Sequence, residues 1–258
     1  MLRAVSEMKG LNIAATDGDI GSVKDFYFDD LTWTMRYLVV DTGSWLPGRQ
    51  VLISPMSIRR STADQVFLGL TKDEVENSPP VDTDKPVDRQ QETTLSQYYR
   101  YPYYWEGPYR WGTVAYPGAP FTPAPAVPPD TVAQELEARE RESADPHLRS
   151  ARDVAGYYIE AVDGDMGHVE DFLIDDQAWA IRYMIVDTRN WLPGKKVVVS
   201  PEWIRQVSWT DSRVYVDLPC EQIKAAPEYD PIGPFEREYE TRLLEHHGRR
   251  KYWDWEGR

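Results

Sequence analysis

Apolar and polar positions in the first 80 residues fall into short runs broken by turn residues, a pattern that predicts strands rather than helices. Gly21 to Phe28 alternates loosely and stops at Asp29-Asp30. Thr34 to Val40 is rich in β-formers and is bounded by Asp41-Thr42-Gly43. Trp45-Leu46-Pro47-Gly48 has turn chemistry, with Pro setting φ and Gly accepting a positive φ. Gln50 to Ile53 is a further strand closed by Ser54-Pro55, and Val66 to Leu70 is the last. Thr71-Lys72-Asp73-Glu74 then has the spacing of a capping box and opens a short helix. About six short strands in about 75 residues predict a small barrel or compact sandwich.

The same pattern occurs twice. Leu2 to Arg59 aligns with Leu148 to Arg205 without a gap, with 29 identities in 58 positions. The paired stretches include Asp17-Gly18-Asp19-x-Gly21-x-Val23-x-Asp25-Phe26 with Asp163-Gly164-Asp165-x-Gly167-x-Val169-x-Asp171-Phe172, and Trp33-x-x-Arg36-Tyr37 with Trp179-x-x-Arg182-Tyr183. Trp45 to Gly48 pairs with Trp191 to Gly194. After a two-residue insertion, Val66 to Leu70 faces Val214 to Leu218. Duplication of one small domain accounts for this, and the copies lie too far apart for a solenoid.

The expected organisation is a first repeat over 1–78, a Pro and aromatic linker with one helix over 79–147, a second repeat over 148–226, and a helical tail over 227–258. Residues 79–130 hold 11 of the 20 prolines, which argues against any sheet or helix core there. The linker helix is expected from Pro129-Asp130-Thr131 to Glu142, with Asp130 as N-cap. Tyr98 to Trp111 carries six tyrosines and two tryptophans and reads as a Pro-fixed linker whose aromatics dock on a barrel or stay partly disordered, against the alternative of stacking on bases or sugar rings. Phe235 to His247 is a helix by its four-residue apolar spacing, ended by Gly248.

The motif order resembles the PRC-barrel family, which is shared by the cytoplasmic part of the photosynthetic reaction-centre H subunit and by ribosome-maturation factors. The residues that carry the resemblance are Asp17-Gly18-x-x-Gly21-x-Val23-x-Asp25, Phe28-Asp29, Tyr37 to Asp41, and Val51 to Pro55, with equivalents from Asp163 to Pro201. It implies a mainly β fold of two PRC-barrel-like small β-barrels in tandem, with short helices in linker and tail. It also implies a scaffold with no common reaction, so function must come from sites. Tandem copies depart from both named relatives. The function expected is a non-catalytic adaptor that binds a protein partner, with a membrane surface as a further docking place. The alternatives are an H-subunit-like part in electron and proton transfer, and a ribosome-assembly factor.

Candidate site residues follow from the duplicated loops. Trp45 and Leu46, with Trp191 and Leu192, present apolar side chains on loops, where partner contacts concentrate. Packing of like tryptophans between the copies is the other reading of them. Asp17, Asp19, Asp163 and Asp165 could form a cation site or a proton relay, against the simpler reading as tight-turn residues. Arg36 and Arg182 interrupt apolar strands and should be half-buried and paired, with Asp25 or Asp41 (Asp171 or Asp187) as partner.

Composition narrows the function further. The formal net charge is −14, and it divides as −3, −4, −5 and −2 over 1–78, 79–150, 151–226 and 227–258. No segment is a basic arm, which disfavours direct nucleic-acid binding through phosphates. One cysteine, Cys220, excludes an intrachain disulfide, and its place at a helix start is where a thiolate could be stabilised. No nucleophile elbow, P-loop or His-Glu-x-x-His occurs, so no catalytic residue, metal or cofactor is expected. The chain has no run of about 18 apolar residues and no apolar signal segment, so a cytoplasmic protein, peripheral to membranes at most, is expected.

Overall fold

The computed structural model describes residues 1–81, 87–120, 147–188, 195–231, 233 and 235–254. The fold is mainly β, as expected, with two similarly organised seven-stranded sheets and six α-helices among the described residues. Two compact units divide the chain. The first comprises Glu7–Arg152 with Asp176–Ala180, and the second comprises Met1–Ser6, Asp153–Asp175 and Ile181–Arg258.

The first copy supplies β1 (Leu2–Ala4), α1 (Val5–Met8), β2 (Asn12–Ala15), β3 (Gly18–Asp29), β4 (Thr34–Asp41), β5 (Gln50–Ile53), β6 (Ile58–Ser61), β7 (Gln65–Leu68), α2 (Lys72–Glu76) and α3 (Arg89–Tyr99). The second supplies β8 (Leu148–Ser150), α4 (Ala151–Val154), β9 (Tyr158–Ala161), β10 (Gly164–Asp175), β11 (Ile181–Asp187), β12 (Lys196–Val199), β13 (Ile204–Ser208), β14 (Arg213–Val216), α5 (Cys220–Lys224) and α6 (Arg237–His246). In the first unit the strand order is β5-β4-β3-β2-β7-β6, and in the second it is β12-β11-β10-β9-β14-β13. The end strands β5 and β6 are consecutive, joined by a 3-10 turn at Pro55–Ser57, and Pro201–Trp203 joins β12 to β13 in the same way.

The twelve-residue strands β3 and β10 are the spine of each sheet. Each pairs with one neighbour through its first half and with two others further along. Register shifts after Val23 and Tyr27, and after Val169 and Leu173, bend each spine at equivalent places. Gly21 and Gly167 are required by close approach. A Cβ there would lie 2.0 Å from the carbonyl oxygen of Asp41 or Asp187, and both residues have φ in the positive region.

The seventh strand of each sheet opens the other copy. β1 pairs antiparallel with β10, Leu2 facing Asp175 and Ala4 facing Leu173. β8 pairs antiparallel with β3, Leu148 facing Asp29 and Ser150 facing Tyr27. The two registers are equivalent, residue for residue, under the repeat alignment.

Three expectations change. The Pro-rich stretch does build a helix core: α3 lies inside 79–130, capped by an Asp88–Gln91 capping box, and it buries Glu92, Thr93, Leu95 and Ser96. Proline concentrates on either side of Arg89–Tyr99, leaving the helix itself free of it. The last strand of the first copy is Gln65–Leu68, two residues shorter at its C-terminal end than its apolar run, because Leu70 sits just ahead of the Thr71 cap of α2. Thirdly, the partner of Arg36 is Asp29 rather than Asp25 or Asp41. The expected helix at 129–142 lies outside the described residues.

Candidate interaction sites

The sockets that receive the exchanged strands are built from the Val-x-Asp-Phe stretch of each spine. In the first unit the Asp25 carboxylate is buried and accepts the Ser150 hydroxyl at 2.6 Å and the Arg152 backbone N–H at 3.1 Å. Asp30 pairs with Arg149 at 2.8 Å. Leu148 joins Tyr37, Val39, Leu52, Val87 and Leu95 in one apolar cluster, so the exchanged strand supplies part of that core. In the second unit Asp171 accepts the Ser6 backbone N–H at 3.2 Å from each carboxylate oxygen. A carboxylate at the start of a one-turn helix satisfies donors that the helix leaves open, which fixes the exchanged segment in register.

The first aspartate of each Asp-Gly-Asp turn is also a helix cap. Asp17 accepts the Lys72 N–H at 2.7 Å, and Asp163 accepts the Cys220 N–H at 2.7 Å. The second aspartate reaches the neighbouring strand, Asp19 to Gln65 at 3.3 Å and Asp165 to Arg213 at 3.3 Å. Backbone donation holds the Asp163 carboxyl below its usual range. No group of three or more His, Cys, Asp or Glu side chains suited to a metal gathers among the described residues.

Trp45 sits on the loop after β4, half-buried, with the Lys72 ammonium 4.6 Å from its ring centroid. The loop is tied down by Thr42, whose hydroxyl lies 2.8 Å from the Leu46 carbonyl and 2.6 Å from that of Arg49. Trp191 and Leu192 lie outside the described residues.

Arg36 and Arg182 anchor a cluster that sequence reasoning largely missed. Arg36 is 1% exposed, and its guanidinium donates to Asp29 at 2.9 Å, to the Thr32 hydroxyl at 3.0 Å and to the Arg110 carbonyl at 2.7 Å. Asp25 is committed to the exchanged strand, and the Asp41 side chain accepts from the Gly43 N–H. The Arg36 guanidinium also lies 3.7 Å from the centroid of Tyr104 and 5.0 Å from that of Trp111. The Asp29 carboxyl is pushed up by burial, but Arg36 and two backbone donors outweigh this and hold it below its usual range. Arg182 pairs with Asp175 at 3.1 Å and lies 3.8 Å from the Tyr252 ring centroid.

Behind each arginine stands a buried glutamate on a helix. Tyr104 donates to Glu92 at 2.6 Å, His147 Nε2 lies 2.6 Å from the same carboxyl, and Arg89 lies 3.3 Å from it. Tyr183 donates to Glu240 at 2.9 Å and Arg237 at 2.7 Å. Burial raises the Glu240 carboxyl above its usual range and lifts the Tyr183 hydroxyl well above 10. The missed signal is in the chain. Arg89, Glu92, Thr93, Leu95, Tyr104 and Trp105 recur as Arg237, Glu240, Thr241, Leu243, Tyr252 and Trp253 at an offset of 148, the offset already set by the two-residue insertion. With Pro79, Asp82 and Pro86, which match Pro227, Asp230 and Pro234, only nine identities in 27 positions carry it, too few to stand out before the structure placed α3 and α6 against equivalent strands.

A search of the curated proteins finds no match to the chain. Residues 2–74 match the family model described as the PRC-barrel domain, and the sheet of the second copy has the same strand order, so the chain carries one PRC-barrel-like sheet and a second built like it, in tandem.

Proposed function

We propose that this protein is a non-catalytic adaptor, a duplicated PRC-barrel-like scaffold that holds a protein partner through the Trp45-Leu46 and Trp191-Leu192 loops. The observation that carries this reading is the exposure of Trp45. Strands β4 and β5 on either side are mostly buried, while this ring stays half-open on a loop pinned by the Thr42 hydroxyl, which lies between the Leu46 and Arg49 carbonyls. A rigid, partly exposed tryptophan loses little entropy on docking and buries a large apolar area. No helix among the described residues is long and apolar enough to cross a membrane. In this reading the Asp-Gly-Asp turns serve the scaffold, since Asp17 and Asp163 hold the starts of α2 and α5.

The test is affinity capture of partners from the native host with the unaltered protein and with the double variant Trp45→Ala/Trp191→Ala. Recovery of the same partner set should fall at least tenfold in the variant while its circular dichroism stays unchanged. Undiminished recovery would remove the loops from the interface.

A further inference from the structure

The exchanged strands carry an inference that does not depend on the tryptophan loops. Each sheet is completed by a three-residue strand of the form Leu-Arg-small, followed by one helical turn. The socket on β3 holds Leu148-Arg149-Ser150, and the socket on β10 holds Leu2-Arg3-Ala4 in the equivalent register. The sockets themselves are near-copies, with Asp25-Phe26 and Asp171-Phe172 at the same step of the spine. Neither copy is complete without the other's first strand, because Leu148 lies inside the apolar cluster of the first unit and Ala4 is a buried residue paired with Leu173 of the second. Nothing in either socket reads which chain its strand belongs to. The register, the carboxylate and the apolar contact are all satisfied by any chain with this sequence.

We propose that these sockets are docking sites for a second copy of this chain, so that the protein assembles by trading its opening strands between molecules. The contacts in the traded form are the ones seen within one chain, so the choice between forms is set by concentration and by the tether 121–146. Exchange of identical elements is a route to dimers that needs no new surface. Covalent connection gives the in-chain partner an effective concentration on the order of millimolar, so the single-chain form dominates in dilute solution and the traded form grows with concentration.

Two full-length preparations with different tags are mixed at high concentration, incubated in mild denaturant to speed strand release, returned to buffer and captured on one tag. The expected result is co-capture of the second tag, rising with total protein concentration. To place the association at the sockets, Leu2→Cys and Asp175→Cys are combined in a Cys220→Ser background, since these positions face each other across β1 and β10. Oxidation should give a monomer band with an internal cross-link in dilute samples and a covalent dimer in concentrated ones, the dimer fraction rising at least fivefold over that range. Internal cross-links alone at every concentration would overturn the proposal. So would co-capture of the tagged chains without any interchain cross-link, which would put self-association on another surface. Deletion within 121–146 supplies a check that leaves both sockets intact. A shorter tether should move the unoxidised protein towards dimer in light scattering, and an unchanged monomer would count against strand trading.

Discussion

Arg36 and Arg182 occupy the same position of the repeat, yet they live in different surroundings. Both pair with the last aspartate of the spine strand, and both lie under 4 Å from a tyrosine ring centroid. In the first unit a second layer is added. The Arg110 carbonyl accepts from Arg36, Trp111 covers the guanidinium, and the Trp111 indole N–H donates to the Ala178 carbonyl at 2.8 Å. The Asp29 side chain is 5% exposed, whereas Asp175 is 18% exposed. The lesson is that the duplicated residues set the geometry of the pair, and an unduplicated segment around Arg110 sets how dry it is.

The largest effect should come from breaking the drier pair. Removing one partner of a buried ion pair leaves the other charge uncompensated, and Arg36→Ala should cost about 3–5 kcal/mol. Arg182→Ala should cost about 1–3 kcal/mol, since water can reach Asp175. Hydrogen exchange read on β4 and on β11 assigns each loss to its own unit. Equal losses would show that the Arg110–Trp111 layer adds no desolvation.

Acid should separate the units next. His247 packs its ring on Trp203 at 4.7 Å between centroids, and burial pushes its pKa down to about 4. The neutral ring is favoured by folding, so its contribution is complete above the unfolded value of 6.5 and is lost as pH falls from there towards 4. Loss of about 2 kcal/mol by pH 4.5 is expected in the second unit. The equivalent position in the first unit is Tyr99, whose hydroxyl is pushed up by burial and stays neutral in acid, so no matching loss occurs there. The Asp29 pair weakens only below its unfolded value of 3.8, because its pKa is lowered. Urea unfolding at pH 7 and pH 4.5, with His247→Gln as reference, checks the sign. A wild-type slope no steeper than that of the variant would remove His247 as its source.

A smaller contrast lies at the helix glutamates. Tyr104→Phe leaves Glu92 with His147 and Arg89, and Tyr183→Phe leaves Glu240 with Arg237 and Tyr252. Each carboxyl keeps two partners, so each loss should cost about 1–2 kcal/mol by thermal unfolding, near the lower end of what a hydrogen bond to a carboxylate is worth. A cost above about 3 kcal/mol at one site alone would mean that its remaining partners do not hold the carboxyl.

How much of this was legible follows from what each feature is made of. The strands and turns between Gly18 and Ile53 were readable because their β-formers and turn residues are local and occur twice. The strand exchange was invisible, since Leu2-Arg3-Ala4 and Leu148-Arg149-Ser150 specify a partner strand only through backbone pairing, and backbone pairing leaves no mark on residue type. Arg36 was legible as a charge inside an apolar run, but its partner was not. Asp25, Asp29 and Asp41 all lie within reach in sequence, and only the register shift after Tyr27 decides which one faces it. Helix α3 was hidden by the prolines that flank it.

The smallest predicted effect concerns Cys220, where the copies differ by a substitution. Cys220 is the first residue of α5 and its N–H is held by Asp163, just as Lys72 opens α2 with its N–H on Asp17. If position at a helix start governed the thiol, both places would favour a thiolate. Instead, burial first, and then the neighbouring Asp163, push the Cys220 thiol up to about 11. At pH 8 its alkylation by iodoacetamide should be about 100-fold slower than that of an unperturbed thiol, because reactivity follows the thiolate fraction. Lys72→Cys in a Cys220→Ser background has the same backbone place on a more open surface and should react within about threefold of the unperturbed rate. Intact-mass spectrometry over time reads both. Slow labelling of Lys72→Cys as well would mean that the carboxylate at the helix start, present in both copies, suppresses the thiolate more than burial does.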